Sequence, residues 1–243
     1  MEGEIQMFIK NHKKICILLG VLLVVLIIAA YFLVPYIKRH YMTVSVNVAE
    51  VTEMEKVDTA GKKILTVYFT RVGNTNFDED VDAVSSASLM KEDEKLIGNS
   101  QLLATMVHNS VGGELYAIQT EKKYPSAYGD TVSASKEEID TDEEVPLSGK
   151  LPDVSTYDTI ILAYPVWWGT IPNAVRTFLK SEDLTGKTIY PLITHGGSGA
   201  GSSVEDIKKV CKANVSDKML EVFDDDVTAA SGAVAEWLKS LWQ

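Results

Sequence analysis

The chain has 243 residues, of which 34 are acidic and 23 basic, so its net charge is −11. This length suffices for one ordinary domain with an appended segment. Residues 1–40 contain two acidic and five basic residues, so the rest of the chain holds 32 acidic and 18 basic residues and a net charge of −14. Such an excess of carboxylates repels phosphate groups. We therefore expect no nucleic-acid partner and no binding of the domain to an anionic lipid surface.

An uncharged apolar segment, residues 15–34, reads ICILLGVLLVVLIIAAYFLV. It has the length that a helix needs to cross a bilayer. A cleaved signal peptide is the alternative, but its apolar part would be shorter and would end in small residues. Here the pair Ala29-Ala30 is followed directly by large apolar residues. The segment therefore predicts an uncleaved, single-pass membrane anchor.

Basic residues flank this segment on both sides. Three lysines precede it, and only Lys38 and Arg39 follow closely. Because basic residues favour the cytoplasmic side, this bias predicts a cytoplasmic N-terminus and an extracytoplasmic domain. The predicted organisation is a tail, a transmembrane helix, a linker without periodicity and a domain, over residues 1–14, 15–34, 35–61 and 62–243.

Beyond the linker, short apolar β-rich runs alternate with amphipathic segments. The predicted strands are 63–69, 114–119, 158–164, 187–194 and 218–223, and the predicted helices are 100–111, 171–179, 203–211 and 228–241, with a short one at 133–139. Residues 76–96 are acidic and rich in serine, which indicates a surface insertion. Strands that alternate with helices predict an open α/β sheet, doubly wound, with helices on both faces.

Three loops that follow predicted strands carry unusual residues. They read TRVGNT (70–75), PVWWGTIP (165–172) and HGGSGAGSS (195–203). In open α/β sheets, ligands bind outside the carboxyl ends of the strands. Tryptophans on such a loop can stack on a planar ligand, and glycines allow the backbone to approach it closely. These loops are therefore the candidate site.

The segments KILTVYFTRVGNT, YDTIILAYPVWWGTIPNAVRTFL and PLITHGGSGAGSSVEDIKK resemble the three cofactor-contacting segments of flavodoxin-like proteins. They occur in the family's order, and the resemblance covers about residues 62–242. It implies a five-stranded parallel sheet in the order 2-1-3-4-5. It also implies flavin mononucleotide (FMN) as a non-covalent cofactor, with its phosphate in the first loop and its ring between the second and third.

Two similar turns compete for the phosphate, VGNT (72–75) and IGNS (97–100). A phosphate site needs backbone amides at a helix N-terminus, and a helical pattern follows only the second turn. We therefore predict a split site in which Thr70, with Arg71, and Gly98-Asn99-Ser100-Gln101 converge on the phosphate. Two alternatives remain at this stage. In the first, Gly73-Asn74-Thr75 holds the phosphate and the second turn is an ordinary helix cap. In the second, Arg71 takes no part and points to solvent.

The ring is expected between the second and third loops, with Trp168 stacked on it. Backbone amides of the third loop are expected at its pyrimidine edge, and His195, Tyr124 or Tyr128 are candidates to cover the second face. The expected contact residues are Pro165, Val166, Trp167, Trp168, Gly169, Thr194, His195, Gly196 and Gly197.

The resemblance implies a membrane-anchored carrier of electrons whose partner is an unidentified redox protein. An FMN-dependent reductase of quinones that uses a nicotinamide donor is the second hypothesis. Nothing in the sequence resembles an added nicotinamide domain, which favours the carrier. A binding module that has kept the fold without redox activity is the third.

Overall fold

The computed structural model describes residues 2–41, 48–77, 89–92 and 95–242. The chain forms two compact units, Met1–Met42 and Thr43–Gln243. The first unit consists of helix α1, Glu2–Tyr41. Its stretch Ile17–Val34 has a mean hydropathy of 3.2 and is long and apolar enough to cross a membrane. A signal sequence near an N-terminus satisfies the same criterion of length and composition.

The second unit is built on a parallel sheet. Its strands are β1 Ile64–Tyr68, β4 Glu114–Ala117, β5 Thr159–Pro165, β6 Thr188–His195, β7 Asn214–Val215 and β8 Leu220–Phe223. They lie in the order β4-β1-β5-β6, and β7 and β8 both pair with β6 at the far edge. The five predicted strands and their order are confirmed, because β7 and β8 occupy a single position.

Helices cover both faces of this sheet. Their bounds are α2 Val48–Thr52, α3 Asn99–Val111, α4 Tyr128–Asp140, α5 Asn173–Ser181, α6 Ser203–Val210 and α7 Ser231–Leu241, and 3₁₀ helices lie at Val154–Thr156 and Asp224–Ala229. The apolar residues of α3 and α7 form one hydrophobic cluster against the sheet. Those of α5 and α6 form the other. All seven residues of β5 are buried, as expected of a central parallel strand.

The proline inside β6 is accommodated by the break between β7 and β8. The carbonyls of Lys187 and Ile189 accept hydrogen bonds from β7 and the residue that follows it, so backbone groups of odd-numbered residues face that edge. The backbone nitrogen of Pro191, which carries no hydrogen, therefore faces the same edge of β6. Neither β7 nor β8 pairs with Pro191, because β8 pairs with β6 only from Leu192 onward. No ladder hydrogen bond is lost there.

Part of the predicted linker packs on the second unit. Helix α2 lies within it, and Val51 and Met54 are each 6% exposed among the core residues. Asn109 donates to the carbonyl of Val51, and Ser110 donates to that of Glu55. The sequence did not reveal this contact, because two apolar side chains among polar ones leave no periodic pattern.

The predicted insertion, residues 76–96, also contains regular structure. Strand β2, Leu89–Glu92, pairs antiparallel with β3, Lys95–Gly98. Met90 is 4% exposed and belongs to the core on the α3 side. Residues 78–88 and 93–94 of the insertion lie outside the described residues.

Candidate functional site

The two segments of the predicted split site meet at the carboxyl edge of the sheet. Thr70 follows β1, whereas Gly98 ends β3 and immediately precedes α3. A Cβ atom added to Gly98 would lie 2.3 Å from Thr70 Oγ1, so only glycine fits at this contact. Gln101 accepts a hydrogen bond from the Gly98 amide at 3.4 Å. The structure thus brings together two segments that are far apart in sequence.

The first turn of α3 contains buried polar side chains. Asn99 is 1% exposed and Ser100 is fully buried. Ser100 Oγ lies 3.3 Å from Oγ1 of Thr194, the buried threonine near the end of β6. Asn99 Oδ1 has no hydrogen-bond partner among the described residues. This helix end carries no acidic side chain, so its free amides and partial positive charge are open to an anion.

The competing turn, Gly73-Asn74-Thr75, uses its central side chain for structure. Asn74 Nδ2 donates to the carbonyls of Thr70 and Ile118, at 2.9 and 2.8 Å. Asn74 Oδ1 accepts from the amide and the hydroxyl of Thr120, at 2.8 and 3.1 Å. This asparagine therefore fastens the loop after β1 to the end of β4.

Arg71 is 1% exposed, so the alternative that it points to solvent is wrong. Its Nη2 donates to the carbonyls of Pro125 and Ser126, at 3.1 and 2.9 Å. Its guanidinium lies over the ring of Phe77, 5.1 Å from the centroid. These contacts hold the residues before α4 against the first loop, and they keep a positive charge beside it.

The second loop makes a two-residue turn at Trp168 and Gly169. Trp167 and Thr170 exchange two backbone hydrogen bonds, each 3.0 Å long. Trp168 and Gly169 both have positive φ angles, 54° and 78°. This is the geometry of a type I′ turn, and its positive φ angle is costly for a tryptophan, a kind of strain that clusters at functional sites.

The two tryptophans have different surroundings. Trp167 packs edge-on against Phe69 and Tyr124, with ring centroids 5.4 and 5.2 Å apart. Trp168 is 52% exposed, and its Nε1 donates to Ser135 Oγ of α4 at 3.2 Å. Trp168 therefore presents aromatic surface at the sheet edge, whereas Trp167 supports the turn from below.

Pro165 and Val166 connect β5 to this turn. Pro165 is the last residue of the strand and is buried. Val166 is 8% exposed, and its amide donates to the carbonyl of Thr194 at 2.8 Å. The second and third loops thus leave neighbouring strands at the same level.

The third loop follows β6 and is partly open to solvent. His195 Nδ1 accepts a hydrogen bond from the amide of Gly197 at 3.1 Å, so the loop folds back on the imidazole ring of His195. Gly196 and Gly197 are exposed. Gly197 has a φ of 112°, which a residue with a side chain rarely adopts.

Of the tyrosines proposed as a cover, Tyr124 cannot present a free face. It is 5% exposed beneath Trp167, and its hydroxyl donates to Glu138 Oε2 at 3.1 Å. Burial raises the pKa of Tyr124 well above its ordinary value, and the neighbouring Glu138 adds to this effect. Tyr128, at the start of α4, is 36% exposed.

Sequence reasoning missed two groups of residues at this edge. Tyr164, in β5, is fully buried, and its hydroxyl lies 3.0 Å from Ser203 Oγ. Burial raises the pKa of this tyrosine. Asp206 accepts hydrogen bonds from Thr170 and Ser202 of the two ring loops. Tyr164 lies within β5 and Asp206 within α6, so no strand-end motif identified these two residues.

The flavodoxin family model matches residues 95–241, which is more than half of the chain. The chain belongs to the flavodoxin family. The matched region starts at β3, so β1 and the Thr70 loop of this flavodoxin lie outside it. No curated protein matches its sequence.

Solved structures agree with this fold. A candidate flavoprotein from Bacteroides uniformis is 26% identical with a TM-score of 0.53, over 74% of this chain and 99% of that chain. A flavoprotein from Lactobacillus acidophilus, solved in complex with FMN, is 17% identical with a TM-score of 0.50, over 70% and 98% of the two chains. The second likeness concerns the fold alone.

The residues at the sheet edge fit FMN. The α3 terminus offers amides and hydroxyls that can donate to a phosphate, and Gly98 brings Thr70 so close to it that a Cβ atom there would collide with Thr70. The exposed indole of Trp168 and the open backbone of the third loop lie on neighbouring strand ends. These are the two kinds of surface that a phosphorylated, planar cofactor needs.

Proposed function

We propose that this flavodoxin binds FMN at the carboxyl edge of its sheet and carries electrons from a position anchored at a membrane. The observation that carries the proposal is the convergence of Thr70 with the buried, acid-free first turn of α3. It leaves amides and hydroxyls at a helix end whose partial charge is positive. Family membership supports FMN as the ligand, and FMN would supply the redox chemistry when bound.

The side chains have separate tasks in this proposal. Thr70, Asn99 and Ser100 hold the phosphate, together with the amides of 98–101. Asn74 and Arg71 keep the first loop in place behind them, as their contacts with the β4 end and the residues before α4 indicate.

The second and third loops receive the ring. Trp168 provides a flat exposed surface, and the exposed backbone of Gly196 and Gly197, with the Gly196 amide as donor, faces the polar edge of the cofactor. Trp167 packs on the buried rings of Phe69 and Tyr124, which fixes the position of the WWG turn and excludes water beneath it. Packing of this kind would hold the turn in one position when the cofactor binds.

The charge of the domain bears on the potential. The net charge of −14 on residues 41–243 would disfavour an added negative charge on bound FMN and so destabilise its anionic reduced form. This lowers the potential and suits a carrier that delivers electrons at low potential to a redox protein.

The length and hydropathy of Ile17–Val34 support anchoring through α1, and the excess of lysines before it favours a domain outside the cytosol. Protease treatment of intact cells tests the side. We expect residues 43–243 to be cleaved without lysis. Protection of these residues until lysis would place the domain in the cytosol.

The main test uses the full chain purified in mild detergent. We expect a visible flavin spectrum with one FMN per chain, or its appearance when FMN is added to the purified protein. A colourless protein that takes up no FMN contradicts the proposal.

A second assay separates a carrier from a reductase. We expect the holoprotein alone to oxidise neither NADH nor NADPH when a quinone is present. Rapid oxidation would instead identify a reductase.

A further inference from the structure

The WWG turn and the glycine-rich loop touch each other through their backbones. The Ser202 amide donates to the carbonyl of Gly169 at 2.7 Å, and its hydroxyl approaches the same oxygen at 3.2 Å. A Cβ atom added to Gly201 would lie 2.2 Å from that carbonyl oxygen. The two loops that flank the proposed ring site therefore form one connected unit.

Asp206, in the first turn of α6, lies at the centre of this connection. Its Oδ2 accepts hydrogen bonds from Thr170 Oγ1 at 2.6 Å and from Ser202 Oγ at 2.7 Å. Its Oδ1 forms an ion pair with Lys209 at 2.9 Å, and its side chain is 15% exposed. One carboxylate oxygen thus joins a hydroxyl that follows the WWG turn to a hydroxyl that ends the glycine-rich loop.

An ionised carboxylate is well suited to this place. Burial raises the pKa of Asp206, but hydrogen bonds from Lys209, Thr170 and Ser202 outweigh that effect and hold the pKa below its ordinary value. Hydrogen bonds to a charged acceptor are shorter and stronger than those between neutral groups. Both contacts from the hydroxyls are short, which agrees with this state.

We propose that Asp206 is a positioning residue that fixes the WWG turn and the glycine-rich loop at the spacing that the flavin ring requires. This inference depends on the proposed FMN site. Asp206 lies behind the loops in this arrangement and acts on the ring through Thr170 and Ser202. The phosphate site at α3 is formed by other elements, so Asp206 should affect ring binding and leave phosphate binding unchanged.

The test compares FMN with riboflavin, which has the ring without the phosphate. Full-length wild-type protein, Asp206→Ala and Asp206→Asn are titrated with both ligands in detergent. We expect Asp206→Ala to weaken both by the same factor, about tenfold, because one charge-assisted connection is lost. Asp206→Asn keeps one acceptor oxygen and should show a smaller loss. Glu205→Gln, which alters an exposed carboxylate next to it on α6, should show none.

A second measurement separates positioning from a general loss of stability. At saturating FMN, the visible circular dichroism of the bound flavin reports how the ring lies against the WWG turn. We expect Asp206→Ala to change this spectrum, whereas a variant that is only less stable would keep it. If Asp206→Ala does not fold, Thr170→Val and Ser202→Ala remove the two donors separately, and each should give the same kind of change.

The outcomes are distinct. Suppose that the wild type binds flavin and that the Asp206 variants, or the Thr170 and Ser202 variants in their place, show the same affinity and spectrum. The positioning role is then overturned, and the proposed function stands. A loss for FMN but not for riboflavin also overturns it, because the effect would then act through the phosphate. If the wild type binds neither ligand, the proposed function fails first, and the role of Asp206 fails with it.

Discussion

Glu138 is a carboxyl group whose charge should depend on pH near neutrality. It lies on α4, where Tyr124 donates a hydrogen bond to it at 3.1 Å. Burial raises the pKa of Glu138 from its ordinary value of 4.5 to about 7. The hydrogen bond from Tyr124 and the charge of Lys122 lower this pKa, and the neighbouring Glu143 raises it. The folded protein therefore holds a proton here that the unfolded chain has released.

Glu138→Gln removes this titration while keeping an acceptor for Tyr124. Between pH 4.5 and about 7 the folded state binds more protons at Glu138 than the unfolded state does, so the free energy of unfolding falls as pH rises through this range. The difference in pKa corresponds to at most about 3 kcal/mol. Because Glu138 is only partly buried, screening by solvent reduces this to about 1–2 kcal/mol.

Urea unfolding of the full chain in detergent, followed by tryptophan fluorescence, measures this effect. All four tryptophans lie between residues 167 and 242, so the signal reports on the second unit alone. We expect Glu138→Gln to equal the wild type near pH 4.5 and to be more stable by about 1–2 kcal/mol at pH 8. Glu137→Gln, an exposed neighbour on α4, should show no such trend. A difference between Glu138→Gln and wild type that stays constant with pH would refute the reasoning.

Three further variants test other parts of the site. Trp168→Ala should weaken FMN binding by about 1 kcal/mol in a titration, through lost stacking, and unchanged affinity would show that Trp168 does not stack on the ring. Gly98→Ala should weaken FMN more than riboflavin, because its Cβ would displace Thr70 from the phosphate site, whereas Gly129→Ala meets open space and should bind FMN normally. Asn74→Ala should lower the free energy of unfolding by about 2–4 kcal/mol, since four hydrogen bonds are lost in a buried position, and a loss under about 0.5 kcal/mol would contradict its structural role.

The sheet was predictable from sequence because its strands are short apolar runs bounded by polar turns. β5 shows this most clearly, since all its residues are buried and all belong to one apolar stretch. Helix α4 was predicted as a short segment, but it runs over Tyr128–Asp140. Only Thr131 and Ser135 of this helix are buried, so the sequence lacks the apolar periodicity from which a helix is usually predicted.

Contacts between segments that are distant in sequence were harder to predict than the helices and strands themselves. The proximity of Thr70 to Gly98 follows from the strand-end rule, but the hydrogen bonds of Asn74 with Ile118 and Thr120 depend on the register of β1 with β4. Arg71 illustrates the same limit. A charged residue after a strand is usually exposed, and its burial depends on two carbonyls that a loop supplies some 55 positions away.

The two similar turns, VGNT and IGNS, have different environments for a physical reason. The first turn starts no helix within the described residues 70–77, and its asparagine satisfies the backbone of the loops that follow β1 and β4. The second begins α3, where the amides of the first turn have no partner within the helix. Asn99 is as buried as Asn74, yet its Oδ1 has no partner among the residues that the structure describes. An amide oxygen only accepts hydrogen bonds, so a phosphate at this terminus would pair with the backbone N–H groups of the turn and not with Oδ1. The turn that stabilises the fold and the turn that is available to an anion are therefore two separate segments, which supports a phosphate site at α3.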